Sequence, residues 1–253
     1  MAKRLENKVC IITGTGGSIG RAAAQRFAEE GALVVGCDTN ASAGQETVEL
    51  VKASGGSMIS LHPADLTKKE DCKKLVELAM QVHGRIDVLF NNAAMAHFNW
   101  IEDISEEEWH LNTREEVDLV FFLTQAAWPH LKQSHGTVVN TASLTGHRVF
   151  KILGGLAHAT AKMGIVGMTK QLAMEGREHG IRANSISPGI IETKQTVEQL
   201  KDKEWADYML GKTLVGRLGK PVEIANVALF LASQESSFVT GVDIIADGGM
   251  AVW

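Results

Sequence analysis

Short runs rich in β-formers alternate with helix-period segments along almost the whole chain. The runs fall at Lys8–Ile12, Leu33–Cys37, Met58–Leu61, Ile86–Phe90, Thr137–Asn140, Ile181–Ser187 and Val242–Ala246. Between them lie helical patterns such as Arg21–Glu30, Lys68–His83, Arg114–Lys132, Ala157–His179 and Val222–Ala232. Strands alternating with helices predict βαβ units and a parallel sheet. The expected architecture is a doubly wound α/β domain, with about seven parallel strands covered by helices on both faces. No Pro- or Ser-rich linker and no internal repeat interrupts the order, so residues 1–253 read as one domain.

Three segments depart from this rhythm. The helix around Glu116–Lys132 carries Val117, Leu119, Val120, Phe121, Phe122 and Leu123 on several sides. An all-round apolar helix must be covered on more than one face, which predicts a homo-oligomer; full cover within the chain is the alternative. The stretch from Thr193 to Lys220 breaks the alternation, and TVEQLKDKEWADYMLGK within it predicts short helices carrying Val197, Leu200, Trp205, Tyr208, Met209 and Leu210. Ser105 followed by Glu106, Glu107 and Glu108 reads as a capped helix start.

Composition narrows the function classes. Hydrophobic residues make up 45% of the chain, enough for a sizeable core. A formal net charge of -5 argues against nucleic acid as the main partner. No apolar run reaches the length of a membrane span, and the N-terminus moves directly into a strand, so neither membrane insertion nor a signal peptide is expected. Cys10, Cys37 and Cys72 match no zinc spacing, and Cys10 and Cys37 sit in strand-like runs. A reducing, cytoplasmic setting fits. His97, His147 and His158 are scattered without a carboxylate at ligand spacing, so no metal site is expected. His97 and His147 follow strand C-termini and are expected to border a substrate pocket or to be solvated.

The segment KVCIITGTGGSIGRAAAQRFAEE reads as strand, glycine-rich turn and helix. Such a turn brings backbone amides and a helix N-terminus to a pyrophosphate. Asp38 stands just after the next strand, where a carboxylate accepts both hydroxyls of an adenosine ribose and repels a 2′-phosphate. No Arg or Lys stands at Thr15, Gly16 or Thr39, so NAD is expected rather than NADP. The plainer alternative is a strand-end aspartate capping a turn.

Thr13-Gly14-x-x-x-Ser18-Ile19-Gly20 resembles the TGxxxGxG fingerprint of the short-chain dehydrogenase/reductases, with Ser18 at a glycine position. Further landmarks follow in order: Asp65-Leu66, Asn91-Asn92-Ala93-Ala94, Pro188-Gly189 continuing through Ile191 to Thr193, and Asp247-Gly248-Gly249. The resemblance covers essentially the whole chain. It implies a Rossmann-like NAD-binding catalytic domain and a homotetramer, with Asp65 at the adenine and Asn92, Ala93, Pro188, Gly189, Ile191 and Thr193 toward the ribose and nicotinamide. It also implies a lid at 193–220 that closes over a moderately apolar substrate.

In that family a tyrosine four residues before a lysine is the general acid/base, with an upstream serine and an asparagine on the preceding long helix. Here GGLAHATAK places His158 at the tyrosine position and Lys162 at the lysine position. The serine corresponds to Ser143, and the asparagine to Glu116, or to Glu115 within a one-residue slip. Imidazole titrates near about 6.5, tyrosine near about 10, so His158 is a plausible proton carrier. Beside a lysine cation it is expected neutral and suited to taking a proton from an alcohol; Glu116 would offset that charge. The expectation is a relay of Ser143, His158, Lys162 and Glu116 in an NAD-dependent alcohol dehydrogenase that favours oxidation. The alternatives are an NAD-binding sensor or scaffold without turnover, and non-redox chemistry like that of the halohydrin dehalogenases. The lone phenol, Tyr208, lies in the expected lid, a poor place for precise proton transfer.

Overall fold

The computed structural model describes residues 3–252, apart from the side chains of residues 194 and 195. Seven parallel strands form one sheet: β1 (Val9–Thr13), β2 (Leu33–Cys37), β3 (Ser57–Leu61), β4 (Val88–Asn91), β5 (Thr137–Thr141), β6 (Arg182–Pro188) and β7 (Asp243–Ala246). Their spatial order is β3-β2-β1-β4-β5-β6-β7. The chain winds outward from β1 to β3 and then returns to place β4 against the other side of β1. That reversal opens a crevice at the C-terminal ends of β1 and β4, where open α/β sheets bind ligands.

Both faces of the sheet are covered by helices, which is why the central strands β1, β2 and β4 read as largely apolar runs. One face packs against α1 (Ser18–Glu29), α2 (Ala41–Ala53) and α9 (Pro221–Ala232), through Phe27, Val48, Val51, Ile224 and Leu229. The other packs against α3 (Lys69–His83), α5 (Leu119–Ser134) and α6 (Leu156–Gly176), through Leu75, Leu123, Leu131 and Ile165. Two short helices, α7 (Lys194–Gln199) and α8 (Lys203–Leu210), occupy the segment that breaks the alternation. A small third cluster joins Met209 of α8 to Leu144, Phe150 and Met250. All three cysteines are buried and free. Burial pushes the thiol of Cys10 up, and those of Cys37 and Cys72 up to about 12, so they are inert apolar side chains.

Two elements differ from the pattern in the sequence. Helix α2 buries only Gly44, Thr47, Val48 and Val51, too narrow an apolar face to stand out; the Asn40 side chain caps it by accepting the Ala43 N–H. The long helical pattern from Arg114 is not one regular helix. Helix α4 (Glu106–Thr113), opened by a Ser105/Glu108 capping box, runs into a wide π-helical turn at Arg114–Asp118 before α5 resumes.

A buried polar network ties the two site-bearing helices to the sheet. Asn91 Nδ2 on β4 donates to Thr124 Oγ1 of α5 at 3.1 Å and to Asn140 Oδ1 of β5 at 2.9 Å. Asn140 Nδ2 then donates to Thr169 Oγ1 of α6 at 2.9 Å. Removing one member leaves buried groups unpaired. Asn140→Ala is therefore expected to destabilise the fold by roughly 3 kcal/mol, read as a lower urea midpoint with an unchanged slope.

Candidate active site

The glycine turn sits at the crevice between β1 and β4. Gly14 has φ +70, and a Cβ on it would meet the Cα of Ala93 at 3.1 Å. A Cβ on Gly20 would lie 2.1 Å from the carbonyl oxygen of Gly14, so the turn closes only with glycine there. Ser18 and Ile19 open α1, whose N-cap is Gly17; no side chain caps the helix and its first turn holds no acid. The first amides of α1 therefore face a cradle suited to an anion. Asp38 stands beside it, its carboxylate accepting the Gly16 N–H and the Asn40 N–H, both at 2.8 Å. The residues present fit the pyrophosphate and ribose of a dinucleotide.

The remaining landmarks flank the same sheet edge, with side chains engaged in the fold. Asn92 donates its N–H to Thr13 Oγ1 and its side-chain amide to Thr13 O, both at 2.9 Å; Ala93 N–H reaches the same hydroxyl at 2.8 Å. These bonds clamp the ends of β1 and β4. Asp65 accepts the N–H and hydroxyl of Thr67 and faces Lys68, while Leu66 is buried in the core. Pro188 ends β6, and Gly189 lies so close to Asp247 that a Cβ would meet its Cα at 2.7 Å. Ile191 is buried and bridges to Gly219, and Thr193 caps α7 in a capping box with Thr196. Leu66 and Ile191 thus present their side chains to the core rather than to the edge expected to hold cofactor.

The chemical groups converge from three elements. Gly154 and Gly155 precede α6, and Gly154 packs so tightly that a Cβ would meet the backbone of Asn99 at 2.6 Å. This close approach seats the first turn of α6 against the loop after β4, with the Phe98 ring edge-on to His158 at 5.1 Å. The π-helical turn points Glu116 inward, 1% exposed. Its carboxylate lies 2.8 and 3.0 Å from His158 Nδ1 and 3.4 Å from Lys162 Nζ. Lys162 also donates to Thr141 O at 3.2 Å. His158 Nε2 lies 3.3 Å from Ser143 Oγ, which accepts the Thr145 N–H at 3.2 Å.

These contacts fix the imidazole. A carboxylate can only accept, so neutral His158 carries its proton on Nδ1 and offers Nε2 as acceptor to the Ser143 hydroxyl. Burial lowers the Lys162 pKa, and Glu116 opposes that shift. Ser143, His158, Lys162 and Glu116, grouped together in the sequence reading, lie in one connected set of contacts. The structure adds that Glu116 bonds the imidazole more closely than it approaches the lysine.

Glu115 resolves the one-residue ambiguity: it turns the other way and lies 2.8 Å from His97 Nε2. His147 lies 2.7 Å from Asp243 Oδ2. Among the described residues no cluster of His, Cys, Asp and Glu could hold a metal ion. The Tyr208 hydroxyl accepts the Lys151 N–H at 3.4 Å, beside the small cluster under α8. Sequence reasoning missed Phe98, the Thr141 carbonyl and the Thr145 amide, none of which carries a spacing signal.

A dinucleotide cradle at the switch point, beside buried His158, Glu116 and Lys162 and the partly covered Ser143, defines a nicotinamide-dependent oxidoreductase scaffold. The pattern describing the enoyl-(acyl carrier protein) reductase family matches residues 14–251. The chain is 40% identical to a 3-oxoacyl-[acyl-carrier-protein] reductase of Thermotoga maritima, over 98% of this chain and 100% of that one. It is 36% identical to the cyclohexanol dehydrogenase of an Acinetobacter species, over 98% and 96%. A crystal structure described as a short-chain dehydrogenase/reductase from Burkholderia xenovorans superposes with a TM-score of 0.94 at 32% identity, covering 100% of this chain and 99% of that one. The chain belongs to the short-chain dehydrogenase/reductase family, whose members use a nicotinamide cofactor.

Glu116→Ala would leave the Lys162 ammonium buried without its carboxylate, with an expected loss of about 3–5 kcal/mol in stability. Because burial holds the Lys162 pKa down, the folded protein binds fewer protons than the unfolded chain as pH rises toward the ordinary lysine value. The deficit should therefore shrink at alkaline pH in denaturant titrations, and Lys162→Met in the same background should recover much of it.

Proposed function

We propose that this protein is an NAD-dependent dehydrogenase that interconverts a secondary alcohol and its carbonyl, with oxidation favoured and His158 as the general acid/base in place of tyrosine. The observation that carries this reading is the bond between Glu116 and His158 Nδ1, which leaves Nε2 as the proton acceptor on the open side of the ring. Bound NAD⁺ supplies the hydride acceptor. The Ser143 hydroxyl orients the substrate oxygen, and His158 Nε2 takes the alcohol proton as the carbonyl forms. Glu116 then faces the imidazolium across a short hydrogen bond and offsets its charge, as the carboxylate does in a Ser-His-Asp triad. Carbonyl reduction retraces the same contacts with the proton leaving Nε2. Lys162 would hold the cofactor ribose, with Glu116 balancing its charge.

Asp38 supports NAD over NADP, since a 2′-phosphate would meet its carboxylate and no cation stands at Thr15, Gly16 or Thr39. Helices α7 and α8 within residues 193–220 act as a lid over a moderately apolar substrate, consistent with the apolar contacts of Met209 and Trp205 against Leu144 and Phe150. The outward-facing Phe121 on α5 supports association into a homo-oligomer, a tetramer by family pattern. No described helix is long and apolar enough to cross a membrane, and a cytoplasmic setting agrees with the three free thiols.

An alcohol panel followed at the NADH absorbance band, with NAD⁺ and NADP⁺ side by side, tests the reading. Turnover should require NAD⁺, and His158→Phe should lower kcat on the best alcohol by on the order of 10²–10⁴-fold. A preference for NADP⁺, or unchanged turnover in His158→Phe, would refute the corresponding part. A second expected outcome concerns Asp38→Ser, which should weaken NAD⁺ binding while narrowing the gap to NADP⁺, measured by calorimetric titration of both cofactors.

A further inference from the structure

We propose that the same cluster makes Ser143 a nucleophile toward activated esters, giving the protein an acyl-transfer activity that needs no nicotinamide. This goes beyond the dehydrogenase reading and rests on geometry alone. A carboxylate on His158 Nδ1 at 2.8 Å, an imidazole, and a serine hydroxyl on Nε2 at 3.3 Å form a Ser-His-Glu chain. Such a chain is recognised by geometry and roles rather than by sequence position, and it recurs on unrelated folds.

Each atom is set for the step. Glu116 holds the ring proton on Nδ1, so the free lone pair on Nε2 faces the hydroxyl. The Thr145 N–H occupies one acceptor position of Ser143 Oγ, which aims the serine proton at His158. Glu116 and His158 are both buried, and Ser143 is only partly covered, so an ester reaches the hydroxyl while the base stays shielded. A tyrosine at position 158 could not accept a proton in this way without first ionising, whereas the imidazole presents a nitrogen lone pair to the hydroxyl.

The step balances as ordinary acyl transfer. Ser143 Oγ bonds the ester carbonyl carbon and gives its proton to His158 Nε2. The bond from that carbon to the leaving oxygen breaks; the leaving group takes the proton from Nε2, or departs as a stable anion while Nε2 gives that proton to solvent. Water, deprotonated by the same imidazole, then releases the carboxylic acid and restores Ser143. The fitting substrate class is an ester of a small carboxylic acid with a good, aromatic leaving group. Such a leaving group lessens the need for stabilising a tetrahedral oxyanion, and Phe98 beside His158 offers an aromatic wall.

The test uses the full-length protein without added nicotinamide and with 4-nitrophenyl acetate. The expected result is a burst of 4-nitrophenolate equal to one acetyl group per chain, with peptide mapping placing that group on Ser143. Ser143→Ala should abolish the burst, and His158→Phe should slow it by about 10²-fold or more. Glu116→Gln keeps the side-chain shape if the alanine variants fold poorly. It should lower the maximal acylation rate while leaving half-saturation by ester unchanged, which marks Glu116 as a positioning residue. Acetyl groups on surface lysines at equal rates in wild type and Ser143→Ala, or no burst, would overturn the proposal. Alcohol turnover at the NADH band is scored separately on the same preparation. A silent ester assay with intact NAD⁺ turnover therefore sinks this inference and leaves the dehydrogenase reading standing, and the converse also holds.

Discussion

The site depends on one buried carboxylate. Glu116 is almost wholly removed from water and faces two nitrogen bases, His158 Nδ1 at 2.8 Å and Lys162 Nζ at 3.4 Å. An ammonium group buried as Lys162 is carries a large desolvation penalty, and a carboxylate beside it offsets much of that penalty. The same oxygens dictate which imidazole nitrogen is protonated. One side chain thus does electrostatic work for the lysine and tautomeric work for the histidine. Without it the lysine loses its counter-charge, and the ring loses its preferred orientation.

The fold supplies this carboxylate through a local irregularity held by a regular frame. The wide turn at Arg114–Asp118 adds a residue to the helical path and shifts the phase at which Glu115 and Glu116 leave it. Glu116 goes to His158 and Lys162, and Glu115 goes to His97. The frame around it is polar and buried: Asn91, Thr124, Asn140 and Thr169 bind β4, β5, α5 and α6 into one unit. Since α6 carries His158 and Lys162 while the wide turn feeds α5, those hydrogen bonds set the spacing across which the carboxylate acts. The loop after β4 completes the wall with Phe98, seated by the tight approach of Gly154 to Asn99.

Much of this was legible from residue order, for identifiable physical reasons. Strands buried on both faces leave unbroken apolar runs such as Val9–Thr13, and the seven runs read from the chain correspond to the seven strands. The glycine turn was legible because close backbone approach excludes a Cβ, as Gly20 shows against Gly14. Helix α2 was less legible because small and polar residues make up much of its inner face. The grouping of Ser143, His158, Lys162 and Glu116 followed from the order of family landmarks. Its inner geometry did not, because a π-helical turn shifts side-chain phase without any residue that announces it. Nor could spacing alone tell that Leu66 and Ile191 turn their side chains into the core, since a loop residue can face either way.

The closed circuit of charge around Glu116 constrains how such a sequence can drift. A tyrosine at position 158 offers no basic nitrogen to the carboxylate, and an asparagine at position 116 offers no counter-charge to Lys162. Each exchange made alone passes through a chain with a stranded buried ion or an untethered ring. The two positions are thus epistatic: among descendants of this protein they should change as a pair, and a histidine at one should travel with an acid at the other.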